Sequence, residues 1–428
     1  MNNTILTNSF PVTDLGQMKK KVLSWAQRFN TFCFLDNHQY HIEPHTQECM
    51  LGAGIKRKIN ASGINALDGL QKFIEERRSW LFGQLCYDLK TDTEQVASIH
   101  PDEVQFPDLF FFEPEIVIRL NENEMIIDSE EPAEIFAEIN SPVDEKKSLL
   151  RSSPPVEGRM SKDEYLSIIR QLRKHILRGD CYEINFCQEF FAEKTIIDPG
   201  EVYKRLVSIS PNPFSALYRV DDKWLICASP ERFLKKQGSR ILSQPIKGTS
   251  RREPGDRIKD ELNREELLHS AKDRSENVMV VDLVRNDLAR VCREGSVAVD
   301  ELYGIYSFPQ VHQMISTISG ELRKNVSFAE IIRATFPMGS MTGAPKKKVM
   351  ELIERYEKTK RGIFSGCLGY ISPDGDFDLN VVIRSIMFNA LSGYLSFQVG
   401  SGITYYSDPE KEWQECLLKA EAIRQTLS

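Results

Sequence analysis

Apolar residues change their spacing at several points along the chain, and each change marks an element. Ser161-Lys-Asp-Glu164 sets a hydroxyl three residues before a carboxylate, the signature of a capping box. Tyr165, Ile168, Ile169, Leu172 and Ile176 follow at helical spacing, and Gly179 is placed to end that helix. Over 213–249 the apolar runs shorten and read as strands at 216–220, 224–228 and 241–244. A highly charged helix over about 257–272 is expected to run into a second from about Ser275 to Arg293. Strands are expected at 364–371, 377–388 and 394–399. With turns at Pro373-Asp-Gly-Asp376 and Ser392-Gly393, they predict an antiparallel meander. Ser407-Asp-Pro-Glu410, read as another capping box with Ser407 as the cap, starts the last helix, with proline in its first turn. Residues 1–140 read as short strands and loops that complete a larger sheet.

Helices mixed with antiparallel strands predict an α+β fold, with large antiparallel β-sheets packed together and flanked by helices. The stretch from Ser141 to Arg159 holds Pro142, the charged run Asp144-Glu-Lys-Lys147 and Ser152-Ser-Pro-Pro155, and reads as an extended connector. It divides an N-terminal segment, 1–157, from a denser part, 158–428. No internal repeat or low-complexity tract interrupts either.

Composition narrows the function. The chain has 428 residues, 55 Lys plus Arg against 62 Asp plus Glu, and a net charge of −7. A mildly acidic chain lacks the basic face that nucleic acid requires. No apolar run approaches the roughly 18–20 residues of a membrane span, and the first residues lack the order of a signal peptide. The nine cysteines are dispersed and form no C-x-x-C pair, which suits free thiols in a reducing cytoplasm.

Four carboxylates carry metal-like spacing. Asp273 and Glu276 open one helix, and Glu412 and Glu415 lie in the last one. Residues at i and i+3 share a helix face, so two facing pairs make an oxygen-only cage suited to Mg²⁺. Acidic pairs at this spacing are more often solvated; Trp413 and the preceding Gly400-Ser-Gly402 favour a site. Lys247, in Gln244-Pro-Ile-Lys-Gly-Thr249, ends a strand between Ile246 and Gly248. A lone lysine there is normally solvated; one held against apolar neighbours can instead lose its proton and become a nucleophile. Glu231, in Ser229-Pro-Glu-Arg232, is a candidate general acid beside it, unless it pairs with Arg232. His312 among apolar neighbours reads first as a satisfied core residue. Gly339-Ser-Met-Thr-Gly343 fails the P-loop spacing, Gly400-Ser-Gly402 fails the dinucleotide fingerprint, and Ser365-Gly-Cys367-Leu-Gly369 is a nucleophile elbow in the wrong context, leaving Cys367 as a strand residue.

Taken in order, several blocks resemble the chorismate-utilising enzymes, the family of anthranilate synthase component I, aminodeoxychorismate synthase component I and isochorismate or salicylate synthases. The blocks are Gly179-Asp-Cys-Tyr-Glu-Ile-Asn185, Ser229-Pro-Glu231, Pro245-Ile-Lys-Gly-Thr249, Asp273-Arg-Ser-Glu276 through Asp282-Leu-Val-Arg-Asn-Asp287, His312, Gly339-Ser-Met-Thr-Gly-Ala-Pro345, and Gly400-Ser-Gly402 through Glu415. They cover about 158–428, which the resemblance makes the chorismate-binding catalytic domain. Segment 1–157 resembles the family more loosely, through Trp80-Leu-Phe-Gly83 and Tyr87-Asp88. The implied fold is the α/β sandwich of anthranilate synthase component I. Relatives that make anthranilate or isochorismate usually carry alanine where Lys247 stands. A lysine there is similar to the aminodeoxychorismate branch, toward p-aminobenzoate and folate.

The resemblance implies the remaining roles. Lys247 adds at C2 of chorismate and expels the C4 hydroxyl, which Glu231 protonates; ammonia then adds at C4 and expels the lysine. Glu276 and Glu415 bind Mg²⁺ directly, with Glu412 and Asp273 close by. Thr249, Arg384, Lys419 and the Gly402 amide bind substrate, and His312 and Thr342 line the ring pocket. Phe364 departs from the tyrosine of some relatives. With no glutaminase triad in the chain, a glutamine amidotransferase subunit (component II) is the implied ammonia source. With no pyridoxal lyase module, p-aminobenzoate is not the product. Two alternatives remain: anthranilate synthase component I, which Lys247 opposes, and a non-catalytic relative that binds an aromatic ligand.

Overall fold

The computed structural model describes residues 5–40, 47–141 and 156–428. Their strands form two antiparallel sheets, one of twelve and one of ten. Side chains alternate across a strand, and the alternation assigns the faces. Along the paired strands Phe214–Val220 and Lys223–Ser229, Ala216, Tyr218, Leu225 and Cys227 pack in one core with Phe82, Leu234, Leu368 and Leu379 of the ten-stranded sheet. Leu217 and Ile226 point the other way, into a second core shared with helices. Helices Lys162–Leu177, Pro199–Ile209, Lys346–Tyr356 and Pro409–Leu427 line it through Tyr165, Ile169, Leu206, Ile353 and Ala420.

The N-terminal residues supply one wing of each sheet. Strand Thr31–Asp36 lies against Phe214–Val220, with Leu35 opposite Ala216. Strand Leu81–Leu85 lies against Cys367–Ile371, with Gly83 opposite Gly369. Both hydrophobic cores therefore draw on residues from either side of the connector, most of which, 142–155, lies outside the described residues. The N-terminal part is not only strand and loop. It contains helices Leu15–Ala26, Ala66–Glu76 and Pro132–Asn140. The first is capped by Asp14, which accepts from the Gln17 amide at 2.8 Å.

The expected strand 377–388 is two strands in different sheets. Phe377–Asn380 belongs to the ten-stranded sheet and Ser385–Asn389 to the twelve-stranded one. Val381 and Val382 cross between them fully buried, so apolar spacing continues where pairing does not. The strand expected from 364 begins at Cys367. The charged helices run Arg257–His269 and Ala271–Ala289, broken at Ser270, which caps the second. The last helix is capped by Asp408, not Ser407, through the Lys411 amide. All nine cysteines are free and buried, and no helix among the described residues is long and apolar enough to cross a membrane.

Candidate active site

Lys247 sits in the edge strand Ile246–Arg251 of the ten-stranded sheet. Its amine reaches the other sheet, donating to Glu183 Oε1 at 2.6 Å. Glu183 opens strand Glu183–Ala192, which pairs with Tyr394–Ile403, so Asn185 lies opposite Gly402. Gly402 faces the reacting groups: a Cβ there would lie 2.8 Å from Glu183 Oε1, 3.1 Å from Lys247 Nζ and 3.6 Å from Glu276 Oε2. Only glycine leaves that approach open.

The apolar cradle expected for Lys247 is not what surrounds it. Burial, the largest influence, pulls the amine down, but Glu183, Glu276 and Glu231 outweigh it and hold the lysine above its ordinary value. Among these carboxylates the lysine keeps its ammonium form.

Glu231 lies between strands Lys223–Ser229 and Arg232–Gln237 and is 3% exposed. Its neighbour Arg232 turns away to Asp378 and Gln244, so the adjacent ion pair does not form. Burial raises the Glu231 carboxyl to about 7, against the smaller opposing influences of Ser340, Lys247 and Arg384. Arg384, at φ 50 in the crossing between sheets, is lowered by burial to about 10, with Glu231 opposing the shift. A non-glycine residue held at positive φ is costly and marks a constrained position.

The acid pairs occupy the first two turns of their helices, Asp273 and Glu276 on Ala271–Ala289, Glu412 and Glu415 on Pro409–Leu427. Helix N-termini favour negative charge. Lys272 feels all four acids, which raise its pKa against burial. Burial raises Glu276 to about 7, and its Oε1 is buried without a hydrogen-bond partner. Glu415 is lowered: burial pushes it up, but Lys419, Lys272 and Lys247 together prevail. Oxygen-only donors with one orphaned carboxylate oxygen fit a hard divalent cation. Among the described residues no three metal-ligating side chains already converge on one point, so an ion here would keep water or substrate ligands, as Mg²⁺ does.

Other expected residues fall differently. Lys419 donates to the Gly400 carbonyl at 3.0 Å and pairs with Glu415 at 2.8 Å. His312 is buried with its Nδ1 2.8 Å from Ser307 Oγ and Nε2 3.3 Å from Asp260. Both ring nitrogens are engaged, the satisfied core arrangement. Thr342 donates back to the Met338 carbonyl at 3.1 Å, while its own carbonyl accepts from the Asn185 amide; it frames the wall beside Glu183. Thr249 is exposed, beyond the cluster. Phe364 is buried in a turn. A separate cleft lined by Asn37, Tyr40, Glu48, Phe214, Arg232 and Asp378 contains none of these residues. Glu183 and Lys272 were not singled out by sequence reasoning. A charged residue at the head of the strand-like stretch Ile184-Asn-Phe-Cys187 was the available signal, since a buried charge demands a partner.

The chorismate binding enzyme family matches residues 21–425. The chain belongs to that family. Among similar chains, an anthranilate synthase component I-like protein of Synechocystis is 33% identical over 84% of this chain and 75% of its own length. Aminodeoxychorismate synthase component 1 of Escherichia coli is 38% identical over 63% of this chain, which spans 59% of that relative's length. The crystal structure of anthranilate synthase component I from Streptococcus pneumoniae superposes with a TM-score of 0.79 over 90% of this chain and 94% of its own, at 24% identity. The fold of this family member is thus the α+β sandwich of that structure.

Proposed function

We propose that this chorismate-binding enzyme is component 1 of an aminodeoxychorismate synthase, converting chorismate and ammonia to 4-amino-4-deoxychorismate, with ammonia delivered by a glutamine amidotransferase subunit. The observation that carries the reading is Lys247: an amine stands beside Gly402 and Glu276, where an alanine-bearing site would leave room for free ammonia or water.

In this reading Lys247 Nζ forms a bond to C2 of chorismate. The two ring double bonds shift and the C4–O bond breaks. Glu231 gives its proton to the departing oxygen, which leaves as water. A carboxyl raised to about 7 by burial is suited to hold that proton near neutral pH. Ammonia then adds at C4, the double bonds shift back and the C2–N bond to lysine breaks. Arg384 and Lys419 hold substrate carboxylates with the Gly402 amide; a planar guanidinium suits a carboxylate. Glu276 and Glu415 would hold Mg²⁺, with Glu412 and Asp273 near it, and the bound ion would neutralise and orient the ring carboxylate. Thr342 frames the wall through its internal hydrogen bond, while His312 stays a core residue held by Ser307 and Asp260. The nine free, buried thiols support a reducing, cytoplasmic location; recovery of the native protein outside the cytosol on fractionation would contradict that part.

The test is Lys247→Ala, assayed with chorismate, ammonium and Mg²⁺. Amination at C4 should stop while the fold survives. C4 amination at the wild-type rate would remove the lysine's role.

A further inference from the structure

We infer that Glu183 is the proton carrier of Lys247, taking the ammonium proton as the amine adds to the ring and returning it as the amine leaves. This rests on the lysine-adduct reading. An ammonium has no lone pair, so one proton must leave Nζ before or during bond formation. When the adduct breaks, the secondary ammonium leaves C2 as a neutral amine, which must regain a proton to restore the ion pair with Glu183. The acceptor has to be a base in contact with Nζ throughout.

Glu183 meets that requirement by geometry. Its Oε1 lies 2.6 Å from Nζ, and the two side chains are 4% and 10% exposed. Among the described residues it is the ion-pair partner of Lys247. Glu231 and Glu276 also act on the amine, but Glu231 delivers its own proton to the C4 oxygen in the same step, and Glu276 belongs to the acid cluster. The Glu183 backbone is clamped on both sides. Glu183 pairs with Ala344 across one edge, and Ile184 pairs with both Gly343 and Ile403. A Cβ at Gly343 would fall 2.1 Å from the Glu183 carbonyl, so the close strand approach that fixes this carboxylate depends on glycine.

The proton balance closes. At addition, the N–C2 bond forms, the Nζ proton passes to Glu183 Oε1 and the C4 oxygen leaves as water with the Glu231 proton. At expulsion, Glu183 returns its proton to Nζ as the C2–N bond breaks and the ion pair is restored, while the ammonia nitrogen, now bonded to C4 as an ammonium, gives its surplus proton back to Glu231.

The experiment mixes the full-length protein with chorismate and Mg²⁺ without ammonia, quenches at intervals and weighs the intact protein. In wild type a chorismate-derived mass should appear on Lys247. In Glu183→Gln, which keeps the shape and loses the base, its appearance should slow about 100-fold. With ammonia present kcat should fall similarly, with KM for chorismate within about three-fold and a cooperative unfolding transition retained. Glu183→Asp, which keeps the charge at shorter reach, should recover part of the rate and guards against misfolding of the glutamine variant. If Glu183→Gln forms the adduct at the wild-type rate, or Glu183→Asp is no faster than Glu183→Gln, the inference is overturned and the lysine reading stands. If wild type forms no adduct at all, the lysine reading itself fails.

Discussion

Lys346 Nζ lies 2.6 Å from Asp287 Oδ2, with the two side chains only 9% and 6% exposed. The pair ties the helix that carries Asp273 and Glu276 to the segment that carries Thr342 and Gly343. It gives a physical reason for two blocks, Asp282 through Asp287 and Gly339 through Pro345, that contribute no reacting group. Removing one partner of a buried pair strands the other charge at about 3–5 kcal/mol. Asp287→Ala should therefore lower stability by about that amount in urea unfolding, and Asp287→Leu with Lys346→Met should recover most of it. A loss below about 1 kcal/mol, the scale of an exposed pair, would show that Lys346 finds water instead.

The raised Glu231 carboxyl makes two linked predictions. Its folded pKa, about 7, lies above its unfolded value. Its contribution to stability is therefore fully present below the unfolded value and lost as pH rises through about 7. Glu231→Gln, always neutral, should be more stable than wild type near pH 8 by on the order of 1–3 kcal/mol, with the gap closing toward pH 4. The protonated form is also the working acid, so kcat should decline as pH passes about 7, and Glu231→Gln should lack that limb on a lower plateau. Denaturation and rate profiles across this range check both; an identical falling limb in the variant would assign it to another group.

The orphaned Glu276 oxygen predicts a metal response that is independent of turnover. Mg²⁺ should raise the melting temperature of the substrate-free protein, by the equivalent of about 2.7 kcal/mol at a hundred-fold excess over Kd. Glu276→Gln removes a buried carboxylate that burial disfavours. It should melt above wild type without metal and show no rise with Mg²⁺. A variant that still responds to Mg²⁺ would move the ion away from Glu276. EDTA should also abolish wild-type turnover.

The helix from Lys162, the Lys247 and Glu231 blocks and the two acid pairs were legible in the sequence because each rests on local spacing. What was not legible is long-range. The partner of Lys247 is 64 positions away in the chain, on the other sheet, and this contact reverses the charge state suggested by Ile246 and Gly248. The crossing at Val381–Arg384 looked like strand because residues buried between two sheets keep the apolar spacing of a strand. His312 was correctly read as a satisfied core residue from its own neighbours, and its implied place in the ring pocket came from the resemblance alone. The N-terminal helices were missed because their apolar faces are narrow, as in Leu15–Ala26, where Val22, Leu23, Trp25 and Ala26 alone are buried.

In the proposed reaction the Lys247 amine directs nitrogen to C4 of chorismate. Identifying the product formed from chorismate, ammonium and Mg²⁺ tests it most directly. That product should be 4-amino-4-deoxychorismate with the enolpyruvyl group retained; anthranilate and pyruvate as the sole products would rule out lysine-directed amination at C4.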